Sequence, residues 1–176
     1  SKRLFNKVKN ILNFPVSLAM RYGSISIING LKELHDIGVN EVVVLPLYPH
    51  YAMSSYETVV EKVKDEVIDN FPNLNLKFIP PFYKEKNFIS LLSKKIQEVT
   101  NKVDYDHILF SYHGIPLSHL KISDPTNNHC YKVKDCCNTQ SEAHDFCYKH
   151  QVLETTEAVV KKLKIDRNKY SNSFQS

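Results

Sequence analysis

Nowhere in its 176 residues does the chain carry an apolar run near the roughly 18 residues a membrane span requires, so no segment reads as transmembrane. The basic start, Ser1-Lys2-Arg3-Leu4-Phe5-Asn6-Lys7-Val8, has no apolar stretch of signal-peptide length behind it, which assigns the chain to the cytoplasm. No run of lysine and arginine is interleaved with aromatics, and the net charge is only +4, so a nucleic-acid partner has little support. Such a weakly basic surface reads first as a solvated face; an anionic small molecule, or peripheral contact with the inner membrane, is the other use it allows. Solenoid repeats and low-complexity tracts are absent, and so are the paired C-x2-C knuckles of a zinc finger. The chain lacks an initiating Met and stops inside a strand-like stretch, Ser173-Phe174-Gln175-Ser176; it therefore reads as a fragment, incomplete at both ends.

What is present is an ordinary globular composition, 42% hydrophobic and 24% charged, enough for one full domain or parts of two. Apolar runs alternate with helical periodicity. Short strands are expected at residues 16–20, 41–46, 74–79, 107–112 and 170–175, with helices at 24–37, 54–69, 87–100 and 151–163. The expected helix at 87–100 has Phe88, Leu91, Leu92, Ile96 and Val99 on one face. Strict strand–helix alternation predicts an α/β protein built on a doubly wound parallel sheet. The Pro80-Pro81 pair suggests a division into residues 1–80 and 81–176, and residues 117–150 read as a long cysteine-rich insertion in the second part.

Ligands of such folds meet the carboxyl ends of the strands, and three loops fall there. The strand at 107–112 runs into Ser111-Tyr112-His113-Gly114-Ile115-Pro116, which makes His113 the strongest candidate proton acceptor or metal ligand near neutral pH. Leu45-Pro46-Leu47-Tyr48-Pro49-His50-Tyr51, followed by Ser54, Ser55 and Tyr56, forms an aromatic rim suited to a flat apolar ligand with polar margins. The two serines can alternatively cap the next helix. Ala19-Met20-Arg21-Tyr22-Gly23 offers Arg21 as a fixed positive charge for a carboxylate, or for a surface ion pair. His35, His107 and His119 read as structural or solvated.

Taken in order, these three loops, with Asp124-Pro125 and the terminal Ser173-Phe174-Gln175-Ser176, resemble the motifs of ferrochelatases over essentially the whole chain. The resemblance implies two Rossmann-like halves facing a porphyrin cleft, and insertion of ferrous iron into protoporphyrin IX or coproporphyrin III in haem formation. It implies that His113 takes pyrrole protons or receives the incoming Fe²⁺. It also implies that Arg21, Tyr22, Tyr48, Ser54, Ser55 and Tyr56 touch the porphyrin. The family's partner carboxylate, a glutamate in a His-x-x-Glu-type segment, is expected beyond residue 176, so the chain reads as stopping short of its second catalytic residue. A chelatase for cobalt or nickel tetrapyrroles, and a non-catalytic metal- or cluster-binding module, are the alternative readings. The oligomeric state is left open.

All four cysteines, Cys130, Cys136, Cys137 and Cys147, fall in one short stretch with the spacing C-x5-C-C-x9-C. Without a secretory context they read as metal ligands rather than disulfides. Zinc with help from His129 or His144, an iron–sulfur cluster, and free thiols all remain open on the residues alone. The resemblance favours a [2Fe–2S] cluster on the four thiolates, because some bacterial ferrochelatases carry an insertion of this look. The animal arrangement, which takes a cysteine from the Tyr-Pro loop, is excluded by Met53.

Overall fold

The structure is a computed structural model, and it describes residues 1–175; Ser176, the last residue of the fourth motif, lies outside the described residues. The chain divides into two compact units. The first comprises Ser1–Leu47 and Glu57–Pro80, the second Tyr48–Tyr56 and the chain from Pro81 onward. The tyrosine loop at Tyr48–Tyr56 goes with the second unit.

In the first unit, helix α1 (Lys2–Ile11) precedes α2 (Ile27–His35), strand β1 (Glu41–Val44), α3 (Thr58–Asn70) and strand β2 (Asn75–Phe78). Strands β1 and β2 pair in parallel, Val42 opposite Leu76 and Val44 opposite Phe78. Helix α2 starts on Ser26, whose hydroxyl accepts from the Asn29 amide, as an N-cap serine should. Beyond its end Gly38 has a φ of +83°, a conformation that only glycine adopts freely. Ile27 and Leu31 of α2, Val42 of β1, Val63 and Val67 of α3, and Phe71 and Leu74 form one buried cluster. Helix α1 was not foreseen; none of its residues is buried.

Residues 16–20 do not form the expected strand. Met20 makes a single bridge to Ser26, and the segment instead lies against Gly30 of α2, where an added Cβ would come within 3.0 Å of Ser17 Oγ and 3.1 Å of Ala19 Cβ. Close packing on a helix has replaced a ladder.

In the second unit, α4 (Lys86–Thr100) leads to β3 (Ile108–His113) and then to α5 (Leu117–Ile122). A 3₁₀ turn at Glu142–Phe146 follows, then α6 (Tyr148–Leu163) and β4 (Tyr170–Gln175). Strands β3 and β4 are parallel, with Tyr112 opposite Phe174 and His113 opposite Gln175. The expected α/β class with parallel strands is therefore found, as one two-stranded sheet in each unit. Both sheets are buried on one face only among the described residues: Val43 is 57% and Leu109 60% exposed, whereas their neighbours turn inward.

Helix α6 is the core of this unit, with Val152, Thr156 and Val159 each at 0% exposure. Helix α4 packs on it. The face of α4 is shifted from the expected one. Phe88, Leu92 and Ile96 are half-buried, but Ile89 and Ser93 are buried, whereas Leu91 and Val99 are 60% and 61% exposed, because the stripe that meets α6 lies one position round the helix. Truncating Ile89 to Ala is expected to lower stability by about 2–4 kcal/mol, and Leu91→Ala to stay within about 0.5 kcal/mol. Urea unfolding midpoints measure both, and equal effects would contradict this packing.

Candidate active site and cysteine loop

His113 is the last residue of β3. The pleat sends Ile108, Phe110 and Tyr112 toward α6 and leaves Leu109, Ser111 and His113 on the exposed side. No hydrogen bond to the His113 side chain occurs among the described residues. Its position is fixed from both neighbours. Tyr112 Oη donates to Thr156 Oγ1 at 2.8 Å, and the Thr156 proton goes on to Asn172 Oδ1, also at 2.8 Å. On the other side, the Gly114 amide donates to the Gln175 carbonyl, and a Cβ on Gly114 would sit 3.2 Å from that oxygen. Glycine here allows the close approach, since a side chain would crowd the Gln175 carbonyl; no left-handed φ is involved. Burial raises the Tyr112 phenol above its usual value, so Tyr112 is a neutral anchor.

The tyrosine loop is tied to the same strand end. His50 meets the Tyr112 ring edge-on at 5.9 Å and the Tyr148 ring likewise at 5.9 Å. His50 Nε2 lies 2.9 Å from Thr155 Oγ1, whose single proton is directed at the carbonyls of Tyr83 and Gln151. The hydroxyl must therefore accept, and His50 donates from Nε2. The Tyr51 amide donates to Gln151 Oε1 at 2.7 Å, and the Tyr51 ring packs on Tyr56 and Phe146. Tyr48 stays 38% exposed. Ser54, Ser55 and Tyr56 lie in a π-helical turn, Met53–Glu57, a rare form often found at functional positions. The N-cap position of α3 is Glu57, which makes no side-chain cap bond.

Arg21 and Tyr22 belong to the first unit. Gly23, at φ +97°, turns the chain directly after them. The guanidinium carbon stacks 4.9 Å from the Tyr22 ring centre, and Tyr22 is 79% exposed. Arg21 Nε is buried without a hydrogen-bond partner, and the side chain makes no ion pair among the described residues.

The cysteine loop contains α5 and the 3₁₀ turn, neither foreseen. Its four thiols are free. Asp124, 3% exposed, accepts from the Thr126 amide and hydroxyl and from the amides of His129 and Cys130, the last two at 2.8 Å each. Burial opposes ionisation, but these four donors prevail and hold the carboxyl at about 2. The Cys147 sulfur caps α6 by accepting from the His150 amide, and the thiols of Cys137 and Cys130 also hydrogen-bond it. The Cys137 bond is the main reason that the Cys147 thiol falls to about 6, against the effect of burial. Burial, with Cys147 beside it, pushes Cys130 up to about 12; Cys137 is raised as well, foremost by its bond to Cys147. Two sulfurs, those of Cys130 and Cys137, are thus gathered around Cys147, with Cys136 half-buried nearby. Among the described residues no group of three or more His, Cys, Asp or Glu side chains stands in a metal-holding array. The donor chemistry fits a thiolate-bound group. The zinc reading is weakened, because Nε2 of both His129 and His144 is engaged by the Cys136 carbonyl. The tie through Gln151, Thr155 and His150 was missed at the level of sequence, where glutamine and threonine on a helix carry no distinguishing pattern.

An aromatic loop and an unbonded histidine, tied together at the carboxyl end of a parallel strand pair, define an α/β protein with candidate site residues gathered at a sheet edge. The ferrochelatase family model matches residues 1–176, and the chain belongs to the ferrochelatase family. It is 43% identical over 162 residues to a ferrochelatase of Opitutus terrae, covering 92% of this chain and 47% of that protein. A ferrochelatase of Pseudomonas entomophila is 39% identical over 163 residues (92% of this chain, 48% of the relative). One from Pseudomonas fluorescens Pf0-1 is 38% identical over 178 residues (100% and 52%). The chain spans about half the length of the curated relatives it matches.

Burial lowers His50 to about 4, so the folded state resists a proton that the unfolded state accepts near 6.5. Because the unfolded state then binds more protons, stability is full above about pH 6.5 and declines toward pH 4. The total loss is about 3 kcal/mol. Urea midpoints measured across this range should fall for the wild type and fall less for His50→Gln; parallel curves would remove His50 as the cause.

Proposed function

We propose that the whole protein inserts ferrous iron into a porphyrin, protoporphyrin IX or coproporphyrin III, in haem formation. The observation that carries this reading is the ferrochelatase family match over residues 1–176, taken with His113 exposed and unbonded at the end of β3. Metalation releases two pyrrole N–H protons as Fe²⁺ enters the ring. A neutral imidazole accepts such a proton at physiological pH, and it can also present a nitrogen to the incoming Fe²⁺. Arg21, with its unpartnered Nε, suits a porphyrin carboxylate, and Tyr22, Tyr48, Ser54, Ser55 and Tyr56 are inferred to touch the macrocycle. His113→Ala in the whole protein is expected to lower iron insertion by about 10²–10⁴-fold while porphyrin binding, followed by fluorescence titration, stays close to wild type. Unchanged turnover would remove His113 from the reaction. Preferential insertion of Co²⁺ or Ni²⁺ would move the protein to another chelatase activity.

The same reading extends to the cysteine loop, where Cys130, Cys136, Cys137 and Cys147 would hold a [2Fe–2S] cluster, a group that exchanges one electron. Support comes from the Cys130 and Cys137 thiols gathered at Cys147, whose lowered pKa favours a thiolate near neutral pH. Protein purified without oxygen should absorb between about 400 and 600 nm. A colourless protein would exclude the cluster. We further infer a cytoplasmic protein placed peripherally at the inner membrane. Support is confined to the exposed Ile11 and Phe14 close in sequence to Lys7 and Lys9, and no helix among the described residues is long and apolar enough to cross a membrane.

A further inference from the structure

We propose that His129, His144 and His150 are positioning residues for the Cys136–Cys137 pair, gripping its two carbonyls and setting where its thiols lie before any cluster is bound. The proposal rests on the cluster reading above and deepens it. His129 Nε2 lies 2.7 Å and His144 Nε2 2.9 Å from the Cys136 carbonyl oxygen, and His150 Nδ1 lies 2.7 Å from that of Cys137. A carbonyl only accepts, so each of these nitrogens carries its proton. Both lone pairs of one carbonyl and one of the next are thereby occupied by imidazole donors.

The rings brace one another. His144 and His150 stack at 3.6 Å with 9° between their planes, and His129 meets His144 edge-on at 5.4 Å. His129 also joins the first cysteine to the Cys136–Cys137 pair. Its amide, like that of Cys130, is held by the Asp124 carboxylate, while its ring holds Cys136. The loop backbone is not one a relaxed chain would choose, since Asn127, Tyr131 and Asp135 all have φ near +55°. That conformation persists because side chains over-determine it. Many small metal domains fold only when the metal arrives. This loop instead has its backbone built in advance, so that rotation of the cysteine side chains is the main adjustment left.

The test uses the whole protein with the double variant His129→Ala/His144→Ala, beside His129→Gln/His144→Gln. Glutamine reaches the Nε2 position and keeps a donor; asparagine does the same for the Nδ1 bond of His150. The alanine pair should bind the cluster roughly ten-fold more weakly, with shifted visible circular-dichroism bands. The glutamine pair should restore both, and His150→Asn should retain more than His150→Ala. In metal-free protein, alkylation of Cys136 and Cys137 by iodoacetamide should change several-fold in the alanine pair and return in the glutamine pair. Unchanged cluster content, spectrum and alkylation in the alanine pair would overturn the clasp. Wild-type protein without visible bands would instead end the cluster reading, and the metal-free alkylation rates would then decide the clasp alone. If the double variant does not fold, His144→Ala against His144→Gln decides it in the same way.

Discussion

The second unit hangs on a buried polar stripe along α6. Gln151, Thr155 and Thr156 are 1%, 1% and 0% exposed, in a position where an unpaired amide or hydroxyl would be strongly destabilising. None is unpaired. Gln151 accepts from the Tyr51 amide and donates to the carbonyls of His144 and Asp145. Thr155 joins His50 to the Tyr83 carbonyl, and Thr156 joins Tyr112 to Asn172. One helix thereby fixes the aromatic loop, the end of the cysteine loop and the inner face of β3. Hydrophobic contact could hold these segments near α6, but it is non-directional. Hydrogen bonds at defined atoms set their register. Removing one member would orphan backbone groups on several segments together, a loss larger than that of a single contact.

The strands and helices legible in the sequence are those where the apolar period and the burial agree: the valines of α3, the apolar face of α6 and the strand that carries His113. Periodicity failed where another force decided. In α4, Leu91 and Val99 satisfy a helical stripe as well as Ile89 does, and only the partner helix selects between them. The segment at residues 16–20 has strand-like residues, but the space opened by Gly30 draws it onto α2. Helix α6 starts at Tyr148, earlier than its apolar residues suggest, because a cysteine caps it. A thiol is not a residue that a search for N-caps looks for.

The tyrosine loop and the His113 turn were legible because proline and glycine punctuate them at the ends of β1 and β3; the Arg21 loop, expected at a third strand end, follows no strand. The cysteine loop was legible only as a composition. Its order comes from bonds that span several residues and pair unlike groups, a carboxylate with amides and imidazoles with carbonyls, and no period marks such bonds. His150 illustrates the difficulty: in sequence it is one more residue at the head of a helix, and in the structure it closes on the Cys137 carbonyl.

The histidines of the second unit show how one residue type divides into structure and chemistry. His50, His107, His129, His144 and His150 each have a ring nitrogen engaged, with Thr155, Ser171 or a cysteine carbonyl. His119 has its Nδ1 closed off from solvent. Among the described residues of this unit, His113 alone offers an exposed imidazole with no hydrogen bond. The pleat explains why it is His113 and not its neighbour. A slip of one residue would turn Tyr112 outward and bury the imidazole. The Tyr112–Thr156 bond opposes that slip from within, and the Gly114–Gln175 contact opposes it at the strand end, where any side chain would crowd the carbonyl. The lone pair of His113 is left available because β3 turns its side chain outward, where no hydrogen bond among the described residues reaches it.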